Sequence, residues 1–242
     1  MGQDFKRWME REFDWDLAPA EFPRLLERLR GTPDRAGRLL AAVPPEAAAV
    51  RPDGAWSMLE NAGHLGDLEE LHHARLEEIL QGVATLRPAD LTNQRTFAAG
   101  HWRRPAAEVV ADLRRQREAF LAALSRVSGA NLVRSAVHPR LKRPMRVLDL
   151  AHFVAEHDDH HLVRAAEIAS RLGALSARDL APGFAEDKEC TKRHDVYVLA
   201  GAIDIECAGR LTRLDAGHAE SLDAPHRARS PEGARLALVD RL

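Results

Sequence analysis

His157 and His161 are the residues whose type and spacing point most directly to chemistry. Four positions apart on a helix, they stand one above the other on a single face, so their imidazoles can aim at a common point. They sit in Ala155-Glu156-His157-Asp158-Asp159-His160-His161, inside a helical pattern from about Met145 to Leu172. Leu150, Val154, His157, His161, Ala165 and Ile168 follow one another at steps of three or four, which puts both histidines where core side chains are expected. Two inward imidazoles one turn apart suggest a divalent metal ion. His160 lies about 100° round the helix from His161, on the face of Glu156 and His152. It is expected to meet solvent or to hydrogen-bond rather than to ligate.

The chain that must position these residues has 242 amino acids, 45% hydrophobic and 30% charged. That suffices for a sizeable core in one domain with an appendage, or in two small ones. A formal net charge of −2 and a pI near 6.6 supply no basic field, so no nucleic-acid partner is expected. The two cysteines, Cys190 and Cys207, fall late in the chain and do not make a secreted disulfide framework. Neither an apolar leader pattern nor a run of about 18 apolar residues occurs, and the expectation is a cytoplasmic protein with no membrane partner.

In chain order, Phe5, Trp8 and Met9 read as a short amphipathic helix packing on the core. Ala20 to Arg30 is helical and is expected to stop at Gly31, with Thr32 as N-cap and Pro33 opening a second run to Val43. Ser57 and Glu60 form an S-x-x-E capping box, and one long helix runs from there to Gly82, a suitable C′ residue. It carries His64, Asp67, His72 and His73. Val83 to Trp102 reads as a loop, and a third run extends from Pro105 to about Arg126. There Arg114, Arg115 and Arg117, interleaved with Asp112 and Glu118, read as a solvated face. Ser128 to Arg143 is a connector.

The pattern predicts an all-α protein: an antiparallel four-helix bundle over 1–180, followed over 181–242 by a short, weakly structured C-terminal extension. Ligands in a bundle come from facing helices, so His64 on the second long helix can complete the pair on the last. In the extension, Val196, Val198, Ile203 and Ile205 permit a short hairpin around Gly201. Cys190-x3-His194 with Cys207 invites a zinc reading, but without a paired C-x-x-C the ordinary reading is scattered free cysteines. With so few aromatics there, truncation after about Leu180 is expected to leave a folded, metal-binding protein.

Several segments in order, Trp56-Ser57-Met58-Leu59-Glu60-Asn61-Ala62-Gly63-His64-Leu65, Arg75-Leu76, His138-Pro139-Arg140 and the His157 segment, resemble the DinB-like superfamily of metal-dependent four-helix-bundle proteins over roughly Asp16 to Leu172. The resemblance implies a histidine triad of His64, His157 and His161 holding a divalent metal such as zinc, nickel or iron. It also implies an activity, transfer of a low-molecular-weight thiol to a small electrophilic substrate, or its isomerisation, and a homodimer. Arg140 and Arg143, just before the last helix, are candidates to bind carboxylates of a thiol cofactor. Asp158 or Glu156 either orients a ligand imidazole or faces water. Two alternatives stand beside thiol transfer: a metal-dependent hydrolase, and a non-catalytic metal-binding stress-response module.

Overall fold

The computed structural model describes residues 6–241; Phe5 lies outside the described residues. From Trp8 to Glu10 the chain makes a single 3-10 turn rather than an amphipathic helix. It then continues into α1 (Phe22–Ala41), the short α2 (Pro45–Ala49), α3 (Met58–Asp67), α4 (Glu69–Gln81) and the short α5 (Gln94–Ala99). After α6 (Ala106–Leu124), the connector forms a hairpin of β1 (Ser135–His138) and β2 (Arg143–Arg146) that leads into α7 (Val147–Arg171).

The expected break at Gly31-Thr32-Pro33 does not occur, and α1 runs straight through it. Proline lacks the N–H that would bond the carbonyl four residues back. Here that carbonyl, Leu29 O, receives Arg117 Nη1 at 2.9 Å from α6 instead. Arg35 Nη2 donates to Arg28 O at 3.0 Å, so the weakened turn keeps its acceptors satisfied from outside the backbone ladder. The long helix expected from Ser57 to Gly82 begins with the capping box and ends at Gly82 in the left-handed region, φ 79°, as read, but it is divided at Leu68.

α1, α3/α4, α6 and α7 form a four-helix bundle that is not antiparallel throughout. One apolar cluster joins the start of α1 (Phe22, Leu25), the end of α4 (Leu76, Ile79), the end of α6 (Phe120, Leu124) and the start of α7 (Leu148, Leu150). The other joins the end of α1 (Leu39, Leu40), the starts of α3 and α6 (Met58, Val109) and the end of α7 (Val163, Ala166). α1 therefore runs parallel to its neighbour α7, and α3/α4 parallel to its neighbour α6. Long connections permit this arrangement where short ones would enforce antiparallel neighbours.

The all-α expectation is overturned by a seven-stranded antiparallel sheet in the region read as a weakly structured extension. It comprises β3 (Ala177–Leu180), β4 (Phe184–Ala185), β5 (His194–Cys207), β6 (Arg210–Asp215), β7 (Ala219–Leu222), β8 (His226–Ser230) and β9 (Ala234–Asp240). β5 is central: its first half pairs with β7 and β9, its second half with β6 and β8. Tyr197 and Leu199 face the bundle and join its apolar cluster, while Val196 and Val198 face a small core inside the curled sheet. A bulge between Val198 and Ala200 shifts the alternation, so Ile203 and Ile205 return to that inner core. Gly201, φ 70°, marks the bend and not a turn; a Cβ there would lie 2.1 Å from Gly233 O. The β5–β6 hairpin instead turns at Ala208 and Gly209, both at positive φ. Few aromatics are needed because the sheet shares its core with the helices.

Candidate metal centre

The capping box that starts α3 also positions the site. Ser57 Oγ accepts from Glu60 N (3.1 Å) and Glu60 Oε2 from Ser57 N (2.8 Å). One turn on, Asn61 Nδ2 donates to Ser57 O (2.8 Å), which leaves Asn61 Oδ1 to accept from His161 Nδ1 at 2.8 Å. His161 thus carries its proton on Nδ1 and presents a bare Nε2. His64 is oriented in the same way. Its Nδ1 lies 2.9 Å from Thr96 Oγ1 on α5, and the Thr96 hydroxyl bonds the Asp67 carboxylate, so the oxygen accepts from His64. Asp67 also receives His101 Nε2 at 2.9 Å. Burial opposes ionisation of Asp67, but these bonds hold it below the usual carboxylate range.

His64, His157 and His161 each offer a ring nitrogen within 4.8 Å of the others. His157 Nε2 lies 3.2 Å from His161 Nε2, while His157 Nδ1 is buried with no hydrogen-bond partner. A shared proton or a cation between these nitrogens resolves the approach of two lone pairs, and the tautomers fixed on His64 and His161 suit a metal. Burial pushes His64 down to about 4, and His157 and His161 well below the ordinary histidine value. All three are neutral at neutral pH, which is the ligating form. Trp56 packs on the His64 and His161 rings, and Trp8 stands edge-on to His157 with centroids 4.8 Å apart.

The acids flanking His157 do not bond a triad imidazole, nor do they face water; Glu156 instead meets the His218 ring, Nε2 to Oε2 at 3.2 Å. Glu156 bonds Arg11 (2.6 Å) and Arg28 (2.8 Å), Asp159 bonds Arg28 (2.8 Å), and Asp158 is held by Arg117 (2.5 and 3.0 Å) and Thr32 (2.7 Å). Arg117, read as part of a solvated face, is 1% exposed and ties α6 to Leu29 O, Glu69 and Asp158. His160 is buried rather than solvent-facing; it borders the cavity beside the triad but is not one of the three converging residues.

The triad forms one wall of a cavity of about 590 Å³. His72, Arg75, His138 and Arg140 also line it. His138 Nδ1 accepts from the backbone N–H groups of Arg140 and Leu141, both at 3.2 Å, so its proton is on Nε2, which has no partner. Arg140 Nη2 is likewise a buried donor without a partner, and its Nη1 reaches only Met9 Sδ. Arg75 donates to Arg87 O, and burial lowers its pKa to about 10. Asp90, the single acid in the lining among the described residues, is occupied by Thr92 and the Gln94 N–H. Arg143 lies over the Trp15 ring at 4.5 Å and does not line the cavity.

Asn61, Thr96, Trp8, Arg75 and His138 escaped assignment from sequence. Asn61 carried a signal, one turn from Ser57 and one turn before His64; Thr96, in a stretch read as loop, carried none.

The family model of the DinB superfamily matches residues 28–163, which hold all three histidines and most of the bundle. The chain belongs to the DinB superfamily. Among solved structures it resembles YfiT from Bacillus subtilis, described as a probable metal-dependent hydrolase with an unusual four-helix bundle topology. That likeness has a TM-score of 0.58 at 18% identity and covers 68% of this chain and 94% of the other, a similarity of fold. No curated protein matches the chain. The sheet from Ala177 to Asp240 lies beyond the matched family segment. No helix among the described residues is long and apolar enough to cross a membrane.

Proposed function

We propose that the protein is a divalent-metal-dependent enzyme that joins a low-molecular-weight thiol to a small electrophile bearing an anionic group, with His64, His157 and His161 as the metal ligands. The carrying observation is the convergence of three neutral imidazoles, two with their tautomers fixed by Asn61 and Thr96, in the lining of one cavity. When bound, a divalent ion supplies positive charge that favours the deprotonated form of a thiol or of water. Nitrogen ligation accommodates zinc, nickel or iron alike.

The cationic and donor groups of the lining support an anionic substrate. His138 Nε2–H and Arg140 Nη2–H are donors without acceptors, Arg75 adds a second guanidinium, and the lining acid Asp90 is engaged elsewhere. A carboxylate satisfies these donors and neutralises the charge. Trp8 and Trp56 pack around the triad and limit water. The carboxylates beside His157 are committed to guanidinium groups and are not free to take a proton from water, which favours a thiolate, already the nucleophilic form. The description of YfiT favours metal-dependent hydrolysis as the second reading.

Metal content and turnover test the proposal together. His64→Ala, His157→Ala and His161→Ala are expected to lose the ion bound at the triad and the activity, while His152→Ala and His160→Ala retain the metal. Arg140→Gln is expected to raise KM for a carboxylated electrophile. Turnover without thiol supports hydrolysis instead, absence of any turnover supports a binding module, and equal metal retention in all five histidine variants refutes the triad.

A further inference from the structure

The sheet holds a second constellation, remote in sequence from the triad. Cys190, His194 and His226 each offer a ligand atom within 4.8 Å of the others. Cys190 sits in the loop before β5, His194 opens β5 and His226 opens β8. Cys190 N donates to His226 O at 2.7 Å and His226 N to Cys190 O at 3.0 Å, which fixes the two backbones side by side. The Cys190 and His194 of the sequence reading do come together, but the third member is His226, not Cys207. Cys207 pairs with His226 in register and turns its Sγ towards Ala224 O at 3.8 Å.

The imidazoles are arranged as ligands. His226 Nδ1 lies 3.1 Å from Ala224 O, a carbonyl that can only accept, so the proton is on Nδ1 and Nε2 is bare. The Asp240 carboxylate lies 3.9 Å from His194 Nδ1. The two rings stand edge to face with centroids 4.9 Å apart, and both are buried. Cys190, His194 and His226 line a cavity of about 280 Å³ together with Glu186, whose Oε2 accepts from Ala228 N.

We infer that Cys190, His194 and His226 bind a second metal ion, zinc, which ties the loop before β5 to the starts of β5 and β8. One thiolate and two imidazoles form a borderline-soft donor set that suits zinc and disfavours magnesium or calcium. Three protein ligands leave the fourth tetrahedral position to Glu186 or water. The ion reinforces the Cys190–His226 bridge, at the end of β8 opposite to the two residues that pair with β4.

The inference is independent of the proposed function, and the experiment keeps the two apart. His64→Ala protein is loaded with Co²⁺ or Zn²⁺ alone. Cobalt is expected to show an intense near-ultraviolet thiolate charge-transfer band, and zinc X-ray absorption a sulfur shell at about 2.3 Å. Cys207→Ser in the same background is expected to keep both signals; Cys190→Ser and His226→Ala are expected to lose the band and one bound ion. A nitrogen- and oxygen-only zinc shell in the His64→Ala protein overturns the site without reference to any cysteine variant. Retention of the band in Cys190→Ser, or its loss in Cys207→Ser instead, overturns the ligand assignment.

Discussion

Replacing Arg117 by Met tests whether the bundle is held by a buried ionic hub. The Arg117 side chain is fully enclosed and donates to Leu29 O on α1, Glu69 on α4 and Asp158 on α7, so a single guanidinium joins all four long helical stretches. Methionine fills most of the volume but leaves two carboxylates buried without their cation, and strands Leu29 O, whose normal backbone donor is missing because position 33 is proline. Breaking a buried ion pair by removing one partner costs about 3–5 kcal/mol. A stranded carbonyl adds about 1–3 kcal/mol unless water reaches it. Urea denaturation of Arg117→Met is therefore expected to show a loss of about 4 kcal/mol or more, read from the midpoint at an unchanged slope. Arg115→Met on the same helix breaks a surface pair with Asp112 and should stay within about 0.5 kcal/mol of the parent. A loss below about 1 kcal/mol for Arg117→Met, or equal losses for the two variants, refutes the hub.

Three further outcomes are expected. Gly63→Ala places a Cβ 2.3 Å from the His101 ring, which Asp67 anchors, so it should destabilise by about 1–3 kcal/mol and loosen metal binding at His64; Gly37→Ala meets only Val110 at 3.4 Å and should gain up to about 1 kcal/mol from helix propensity, and the same sign for both in thermal unfolding would contradict the packing. Burial lowers the His218 imidazole, but its bond to Glu156, at 3.2 Å, and the charges of Glu156 and Asp159 together carry it above its ordinary value. A raised folded pKa contributes stability that is complete below the unfolded value of about 6.5 and is lost as pH rises through the folded value, so the parent should lose more stability than His218→Gln between about pH 6 and pH 9; equal slopes would remove His218 from the account. Deleting residues 177–242 uncovers Ala165 and Ala166, which share a cluster with Tyr197, Leu199 and Val239, so poor solubility and loss of cooperative unfolding are expected, the opposite of what the composition of that region suggests. A soluble, cooperatively melting truncation would show the bundle to be independent.

Local rules sufficed for much of the helical half. The Ser57–Glu60 capping box, the Gly82 cap and the i, i+4 pair His157 and His161 are short-range features, and nearby chain enforces them. The resemblance carried by the His64 and His157 segments named the family and placed His64 with the pair. The near-neutral formal net charge of −2 is likewise read directly from the composition. None of this depended on what packs against what.

Other features were decided only by distant partners. Gly31-Thr32-Pro33 has the local chemistry of a helix end, and α1 crosses it because Arg117, 88 positions away, bonds the carbonyl that proline cannot. Arg117 itself reads as a surface charge, since nothing near it in sequence reveals that Glu69 and Asp158 enclose it. Thr96 lies in an apparent loop, and its role depends on the contact with His64 across 32 positions. The sheet was hidden for the same reason. A strand carries few cues of its own, its hydrogen bonds go to other segments, and the bundle-facing side of β5 packs in one cluster with α7, so Tyr197 and Leu199 acquire a core only when the bundle is present. Parallel packing of α1 with α7, and the meeting of Cys190 and His194 with His226, likewise arise from chain reversals whose direction is set by long-range burial and not by the residues at the reversal.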